Sequence, residues 1–436
     1  MRADREGLVR ALVEETLRAS DLRERTRAAV ASCCPTGGRV LIAVGKASAS
    51  MAAGALTALE DKVEGGVVVA PRGTDLSRLR GQGLETLIGG HPLPDESSLR
   101  AGEAVLDWAS ASGARGVDLL VLVSGGSSAL AEYPLDGVDL EDLVQVNRLL
   151  LNSGASISEI NTVRRHLSRI KGGGLVKASR PSRVHGLYAS DVPGDSIHDI
   201  GSGPTAPDPT TFGDALAVLE LYGLLDAAPG AVVELLRRGT RGLVEETLKP
   251  GSPDSARVSN IVIARNMDVL DAVESRLRSM GFNTLVLTSM LQGESREVGK
   301  ALASMTAEVS RSARPVRPPA AIIAGGETSV TVRGAGKGGR NQELALSWSI
   351  EARRLGLSDE DAMLIALATD GVDGPTDAAG AAVTPGVVDD IRRAGLNPLR
   401  ALAENDSYRA LDAAGSLIRT GPTGTNLNNV IVVLVW

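Results

Sequence analysis

The residues best suited to chemistry lie in the stretch Val332–Ile350, which reads VRGAGKGGRNQELALSWSI. A short β-like run, Ser329–Arg333, leads into a glycine-rich loop that carries two cations, Lys337 and Arg340, and a helical pattern follows at once. Glycines let the backbone approach a ligand closely, the first N–H groups of a helix have no partner inside the helix, and the helix dipole favours negative charge. The stretch therefore predicts an anion site, and we expect a phosphorylated ligand to bind there.

A second candidate cation, Lys46, directly follows a buried strand predicted over Val40–Val44 and precedes a helix predicted over Ala47–Leu59. An ammonium group there could neutralise a transferring phosphoryl group or a substrate carboxylate. A solvated lysine at the start of a helix explains the same pattern, but a cation at that end opposes the helix dipole. This mismatch favours a functional role for Lys46.

Glycine and serine residues follow another predicted strand, Leu119–Val123, in the turn SGGSS. Backbone N–H groups and hydroxyls in such a turn can bind phosphate, although a turn that only caps a helix has the same composition. The residues of the two glycine-rich turns that we expect to bind nucleotide or substrate are Ser124, Gly125, Gly126, Ser127, Gly336, Gly338, Gly339 and Asn341.

Three carboxylates follow predicted strands in polar loops and are candidates to bind a divalent cation or to orient a hydroxyl group. They are Asp191 in SDVPGD, Glu327 in AGGET and Asp370 in TDGVDG. Acidic residues in such loops more often only form turns, and the spacing in TDGVDG does not fit an EF-hand. Among the histidines, His91 lies in a predicted turn, where a structural hydrogen bond is the preferred interpretation.

The net charge of −7 and the pI near 5.4 argue against nucleic acid or an anionic membrane as a partner, but they allow a local basic pocket for a small anion. Cys33 and Cys34 are adjacent, which suits neither an ordinary disulfide nor a zinc site and indicates a reducing compartment. The N-terminal segment reads as a charged amphipathic helix rather than a signal peptide, and no apolar run is long enough to span a bilayer. We therefore expect a cytoplasmic protein and leave a homodimer open.

Predicted strands alternate with predicted helices along the chain, which indicates α/β domains built on parallel sheets with helices on both faces. At 436 residues, two domains are expected. The linker-like segment Lys249–Asp254 separates an N-terminal Rossmann-like domain, residues 1–250, from a C-terminal α/β domain, residues 255–436, whose first strand is Val258–Ile263. Ligands bind outside the carboxyl ends of parallel strands, so the polar loops predict one active site in a cleft between the domains.

The glycine-rich loop resembles two nucleotide-binding motifs but has the full set of features of neither. Gly334, Gly336 and Gly339 satisfy G-x-G-x-x-G, but cations crowd the turn, and no acidic residue ends a second strand at the distance that a dinucleotide site requires. The segment GAGKGGR also lacks the order of residues in a Walker A loop. A nucleotide site in this chain would therefore be of another type.

Several longer motifs resemble those of the glycerate 2-kinases whose C-terminal part is called the MOFRL domain. They occur in order over nearly the whole chain and read VGKASASM, GGHPLPDE, VSGGSSAL, EINTVRRHLSRIKGGGL, SDVPGDSIHDIGSGPTAPDPTTF, GGETSVTVRGAGKGGRNQELAL and ATDGVDGPTDAAGA. The resemblance implies two three-layer α/β/α domains, the second of the MOFRL type, and ATP-dependent phosphorylation of D-glycerate to 2-phosphoglycerate with a divalent metal, usually Mg²⁺. It also implies catalytic roles for Lys46 and Arg340, which match the family's lysine in V-G-K-A-S and its arginine in G-G-R-N-Q-E.

The residues and the resemblance agree on a mechanism, because phosphoryl transfer depends on positioning and charge neutralisation more than on covalent chemistry. Arg340 would contact the γ-phosphoryl oxygens or the substrate carboxylate, and Lys46 would offset charge on the transferring group. One of Asp191, Glu327 or Asp370 would bind Mg²⁺ or accept the proton of the 2-hydroxyl group. Three alternatives stay open, namely an NAD(P)H-dependent hydroxypyruvate reductase, a glycerate kinase that gives 3-phosphoglycerate, and a noncatalytic sensor of small anions.

Overall fold

The computed structural model describes residues 2–33 and 37–436, so Cys34 lies outside the described residues. The chain forms two compact units. The first unit is Leu22–Ala264, and the second unit is Arg265–Trp436 together with the N-terminal segment that ends at Asp21.

The α-helices are α1 (Arg2–Ala19), α2 (Leu22–Cys33), α3 (Ser48–Leu59), α4 (Ser77–Arg80), α5 (Glu96–Arg115), α6 (Ser127–Leu130), α7 (Leu140–Asn152), α8 (Ile157–Arg165), α9 (Gly174–Ala178), α10 (Phe212–Leu221), α11 (Gly230–Thr240), α12 (Asn266–Ser279), α13 (Ser295–Ser312), α14 (Arg340–Arg354), α15 (Val387–Arg393), α16 (Pro398–Ala403) and α17 (Ser407–Ala413). The strands are β1 (Arg39–Val44), β2 (Val63–Pro71), β3 (Leu84–Gly89), β4 (Asp118–Val123), β5 (Val184–Ala189), β6 (Val258–Ala264), β7 (Asn283–Leu291), β8 (Ala320–Gly326), β9 (Ala362–Ala368), β10 (Gly380–Val383), β11 (Leu417–Ile418) and β12 (Asn429–Val435). Short 3₁₀ turns span Glu60–Lys62, Ile200–Ser202 and Asp254–Arg257.

The sheet of the first unit has the strand order β3-β2-β1-β4-β5-β6, and all neighbouring strands are parallel. Its central strands β1 and β4 are nearly continuous apolar runs buried along their length, as expected where helices cover both faces. The strand order reverses between β1 and β4, which is the switch point where Rossmann-type sheets bind ligands. The predicted Rossmann-like fold is confirmed, and the turns after β1 and β4 lie at this switch point.

The sheet of the second unit has the order β11-β10-β9-β12-β8-β7 and is mixed rather than parallel. Only β7 and β8 are parallel, whereas β12 runs antiparallel to both of its neighbours, β8 and β9. Consequently the first residue of β12, Asn429, pairs with Gly326 and Ala368 at the carboxyl ends of β8 and β9. The antiparallel strand thus brings a residue from near the end of the chain to the edge where a ligand site is expected.

The predicted boundary at Lys249–Asp254 differs from the division of the structure. β6, predicted as the first strand of the second domain, completes the first sheet, because Val258–Ala264 forms a parallel ladder with β5. Helix α1 belongs to the second unit, where it packs against α12. A Pro- and Gly-rich segment can form a turn without ending a domain, and strand pairing decides to which unit the next strand belongs.

Two further sequence predictions differ in detail. The predicted β-like run Ser329–Arg333 is not a strand, and only Ser329 forms a bridge, with Glu294. The strand that precedes the glycine-rich loop is β8, which ends at Gly326. No helix in the described residues is long and apolar enough to cross a membrane.

The place of β6 in the first unit can be tested at Asn260, whose side chain donates to Thr205 O at 3.0 Å and accepts from Thr205 Oγ1 at 2.7 Å. Asn260→Ala leaves polar groups of buried Thr205 without these partners, so we expect a loss of about 1–3 kcal/mol in unfolding free energy. Amide hydrogen exchange should quicken in β5 and β6 and stay unchanged in β7 and β8. Asn283→Ala in β7, which removes a bond to Arg317 O, is the matched control. Faster exchange confined to β7 and β8 in the Asn260 variant would contradict the assignment.

Candidate active site

The turns that follow β1 and β4 are joined by hydrogen bonds at the switch point of the first sheet. The backbone N–H of Lys46 donates to Gly125 O at 2.9 Å, and the N–H of Ala47 donates to Ser124 Oγ at 3.1 Å. Helix α3 begins at Ser48, so Lys46 lies in the turn before the helix. The backbone beside Lys46 is therefore fixed by the turn after the neighbouring strand.

Two positions in these turns require glycine. Gly45 has φ 137°, and a Cβ there would overlap Oγ and the backbone of Ser124. Gly126 has φ 81°, and a Cβ there would lie 2.9 Å from Cδ2 of His91 and 3.4 Å from Cγ of Lys46. The imidazole of His91 and the side chain of Lys46 therefore both lie beside Gly126.

We call Lys46, His91 and the Ser124–Ser128 turn the switch-point cluster. Lys46 is half-buried, and no carboxylate in the part of the chain whose side chains are described forms an ion pair with it. Burial, together with the charge of Lys46, lowers the pKa of His91. The imidazole is therefore mainly neutral at pH 7, and Lys46 carries the positive charge of the cluster.

The hydroxyl groups of the SGGSS turn are partly used within the protein. Ser124 is fully buried and holds the Ala47 N–H, and Ser128 Oγ lies 2.8 Å from Ser202 Oγ. Ser127 is also buried, close to the position that a Cβ on Gly201 would take. The bonds of Ser124 and Ser128 favour a structural role for their hydroxyls, whereas the buried Ser127 Oγ has no hydrogen-bond partner in the described residues. Gly125 is buried and Gly126 is half-buried, so the backbone of Gly126 is the part of the turn better placed to meet a ligand.

In the second unit, the start of α14 is held by Asp373. Oδ1 of Asp373 accepts from the backbone N–H of Asn341 at 3.1 Å, and Oδ2 accepts from the N–H of Gln342 at 2.9 Å. Burial raises the pKa of Asp373, and the two N–H groups and the charge of Arg340 oppose this rise. The predicted anion site at this helix start is thus partly filled by a carboxylate of the protein itself.

Arg340 is the first residue of α14, and its side chain is 26% exposed. Nη1 of Arg340 forms an ion pair with Glu327, and Nε donates to Oδ1 of Asn429 at 3.3 Å. The buried amide of Asn341 donates to the same oxygen at 3.1 Å and to Asp373 Oδ1 at 3.2 Å. We call Glu327, Arg340, Asn341, Asp373 and Asn429 the Arg340 cluster.

The glycine-rich loop before α14 packs against the segment Glu404–Ser407. A Cβ on Gly336 would lie 2.5 Å from Asp406 Cβ, one on Gly338 would overlap Ser407 Oγ, and one on Gly339 would overlap Asp373. These glycines are therefore explained by close packing within the second unit. Of the loop residues predicted to bind ligand, Asn341 is fully buried, and its amide nitrogen is used inside the Arg340 cluster.

Lys337, the other cation of this loop, lies 4.6 Å from the ring centroid of Tyr408. Its backbone N–H donates to Asp406 at 3.2 Å, and its carbonyl accepts from the N–H of Tyr408 at 3.0 Å. The cation–π contact and the backbone bonds give Lys337 a structural role in holding the loop. Arg340, which faces Glu327 instead, is the better candidate for contact with an anion.

The three candidate metal-binding carboxylates have different surroundings. Glu327 is 43% exposed and paired with Arg340, whereas Asp370 accepts from the N–H of Val372 at 3.1 Å and so forms a turn. Asp191 is half-buried beyond the end of β5, the strand next to β4. No group of three His, Cys, Asp or Glu side chains in the described residues could hold a metal ion.

Sequence reasoning missed Asn429 and the capping role of Asp373. Asn429 is the last residue of the mostly polar segment TNLNN and opens an apolar strand. That composition could have indicated polar side chains at the start of a strand. Only the antiparallel direction of β12 reveals that Asn429 lies beside the ends of β8 and β9.

Comparisons with known proteins define the class of this chain. Residues 5–237 match a family described as a domain of unknown function, DUF4147, and residues 320–429 match the MOFRL family. A glycerate 2-kinase from Pyrococcus horikoshii is 42% identical over 399 residues, which cover 91% of this chain and 87% of that protein. A relative from Agrobacterium vitis, provisionally named a hydroxypyruvate reductase, is 40% identical over 92% of this chain and 88% of its own length.

A solved structure agrees with these relatives. The crystal structure of a glycerate kinase from Thermotoga maritima matches with a TM-score of 0.84 and 39% identity, covering 99% of this chain and 100% of that chain. The protein is thus a two-part α/β protein with a DUF4147 region and a MOFRL region. The chain belongs to the glycerate kinase family, which confirms the resemblance in its motifs.

The cap at the start of α14 gives a stability prediction. Asp373→Ala leaves the N–H groups of Asn341 and Gln342 without their partners, so the free energy of unfolding should fall by about 1–3 kcal/mol in urea titrations. The matched control is Asp370→Ala, which removes a single turn bond from a half-buried residue and should cost less. Equal losses in the two variants would contradict the capping role.

Proposed function

We propose that the protein is a kinase that transfers the γ-phosphoryl group of ATP to the 2-hydroxyl group of D-glycerate and releases 2-phosphoglycerate and ADP. Membership of the glycerate kinase family supports the substrate, and the name of the Pyrococcus relative, glycerate 2-kinase, supports the position of transfer. The observation that carries the proposal is the half-buried Lys46 at the switch point of a Rossmann sheet, with no carboxylate partner in the part of the chain whose side chains are described.

In this proposal Lys46 and Arg340 each stabilise negative charge on the substrates. A phosphoryl group in transfer carries charge on its equatorial oxygens, and fixed cations stabilise that charge without reorganising. Lys46 is a point charge on a rigid turn, whereas Arg340 presents a planar fork that can bind two oxygens of a phosphoryl group or of the glycerate carboxylate. When the ligand binds, Arg340 would release its ion pair with Glu327 and bind the ligand instead.

A divalent cation, expected to be Mg²⁺, would neutralise phosphate charge when bound. Mg²⁺ usually keeps several waters and binds through one or two carboxylates plus substrate phosphates, so it does not need a cluster of three protein ligands. Glu327 fits this role best because its carboxylate is accessible, and Asp191 is the second candidate. Asp370 fits less well because one of its oxygens already holds the turn. A carboxylate of this set would also accept the proton of the 2-hydroxyl group.

A hydroxypyruvate reductase is the second candidate, supported by the provisional name of the Agrobacterium relative. Against it, Gly334 does not follow a strand, and Gly334 and Gly336 pack against the backbone of Glu404 rather than forming an open dinucleotide turn. Assays with NADH or NADPH and hydroxypyruvate, in the absence of ATP, decide between the two. Oxidation of the reduced cofactor without any use of ATP would overturn the kinase proposal.

The product decides the position of transfer. After incubation with ATP, Mg²⁺ and D-glycerate, phosphorus and proton NMR should show 2-phosphoglycerate and ADP. The appearance of 3-phosphoglycerate would keep the kinase and reject the 2-hydroxyl group as acceptor. ATP that is bound but not consumed when glycerate is added would favour a sensor of small anions.

Removal of the ammonium group of Lys46 should reduce turnover strongly. We expect Lys46→Ala to lower kcat by about 10³-fold or more, the scale of a cation that acts on the transition state. Lys300→Ala, which removes a half-exposed lysine on α13 paired with Glu297, is the control and should keep wild-type turnover. A folded Lys46→Ala protein with wild-type kcat would exclude the role of this lysine.

Arg340→Lys keeps the charge but loses the planar fork and the Nε–H bond to Asn429. We expect kcat to fall by about 10³-fold, because a lysine cannot bind two phosphoryl oxygens in one plane. Arg354→Lys at the exposed end of α14 is the matched control. Steady-state kinetics with ATP and glycerate measure both variants. If the kcat of Arg340→Lys equals that of the Arg354→Lys control, the planar fork of Arg340 has no role in the mechanism.

A further inference from the structure

We propose that Asn429 is a positioning residue that orients the guanidinium group of Arg340. This inference rests on the proposed function, because it assigns to Asn429 an effect on phosphoryl transfer that acts through Arg340. Asn429 lies near the end of the chain, 89 residues after Arg340, and reaches it only because β12 is antiparallel to β8 and β9.

The oxygen of the Asn429 amide accepts two hydrogen bonds. Nε of Arg340 donates to Oδ1 at 3.3 Å, and Nδ2 of Asn341 donates to the same atom at 3.1 Å. The amide of Asn341 is itself fixed by Asp373, which also holds the start of α14. The direction of the Arg340 side chain therefore depends on a buried series of contacts that runs from Asp373 through Asn341 to Asn429.

Asn429 is fully buried, yet its Nδ2 has no hydrogen-bond partner in the described residues. A buried donor without a partner costs free energy and calls for a reason to keep the residue. Turning the amide over would place its nitrogen against the donors of Arg340 and Asn341, so the oxygen must face them. The site needs an acceptor at this position, and Asn429 supplies one without adding a charge.

This contact divides the guanidinium group into two sides. Nε is held by Asn429 on the inner side, and Nη1 meets Glu327 on the partly exposed side. Nη2 has no hydrogen-bond partner in the part of the chain whose side chains are described, so Nη1 and Nη2 are the atoms that can bind an anion. A small rotation of the guanidinium plane would misdirect both atoms, and catalysis is sensitive to errors of about 1 Å in such groups.

A neutral acceptor also preserves the charge of Arg340. A carboxylate at residue 429 would keep an acceptor for Nε but would partly neutralise the cation that the phosphoryl group needs. Asn429→Asp should therefore retain much of the kcat while raising KM for the anionic substrates. Asn429→Leu, which has a similar volume and no acceptor, should lower kcat by about 10- to 100-fold.

A double-mutant cycle separates positioning from a general structural role. The proteins are wild type, Asn429→Leu, Arg340→Ala and the double variant, compared by kcat with ATP and D-glycerate and by melting temperature. If Asn429 acts through Arg340, the Leu substitution should change kcat by no more than about twofold in the Arg340→Ala background. The same fold loss in both backgrounds would overturn the proposal.

A second readout does not depend on activity. Hydrogen exchange of the Arg340 Nε–H, followed by NMR in protein labelled with ¹⁵N-arginine, should be slow in the wild type and in Asn429→Asp. It should quicken in Asn429→Leu, or in Asn429→Ala if the Leu variant does not fold. Unchanged exchange in the variant without the acceptor would reject the contact. If the wild type forms no ADP with glycerate, the proposed function fails, and this exchange measurement alone decides the position of Arg340.

Discussion

The carboxylate of Asp373 is the contact on which the Arg340 cluster depends. It accepts the N–H groups of Asn341 and Gln342 and so fixes the first turn of α14. Because Arg340 is the first residue of that helix, the cap also fixes where its side chain begins. A helix start that is open to ligand would give a general anion site, whereas the capped start leaves the arginine side chain as the group that we propose for contact with an anion.

The two clusters use different means to hold a cation in place. Lys46 is positioned by backbone, since the turns after two parallel strands bond to each other at the switch point. Arg340 is positioned by side chains, through buried amides and carboxylates at the edge of a mixed sheet. In the proposed kinase, the lysine would supply a fixed charge and the arginine a directed fork, and phosphoryl transfer uses both.

Much of the fold could be predicted from local pattern. Continuous apolar strands such as β1 and β4, separated by helices, indicated a Rossmann-like sheet, and the loops after them were correctly assigned to the carboxyl edge of its strands. The unit boundary was not predictable in the same way, because β6 follows a linker-like segment and is assigned only by its pairing with β5. The mixed second sheet was also missed, since an apolar run such as β12 carries no mark of its direction.

The sequence by itself determined the family and the Rossmann-like first sheet, because these depend on residue types in short, continuous motifs, and the same motifs predict Lys46 and Arg340 as the two cations of the site. The tertiary structure decided how the glycine-rich loop is used. Its glycines allow close packing against Glu404–Ser407, and its helix start is closed by Asp373, more than thirty residues further along the chain. Asn429 joins Arg340 for the same physical reason, since contacts between distant segments depend on strand direction and register, which local sequence does not encode.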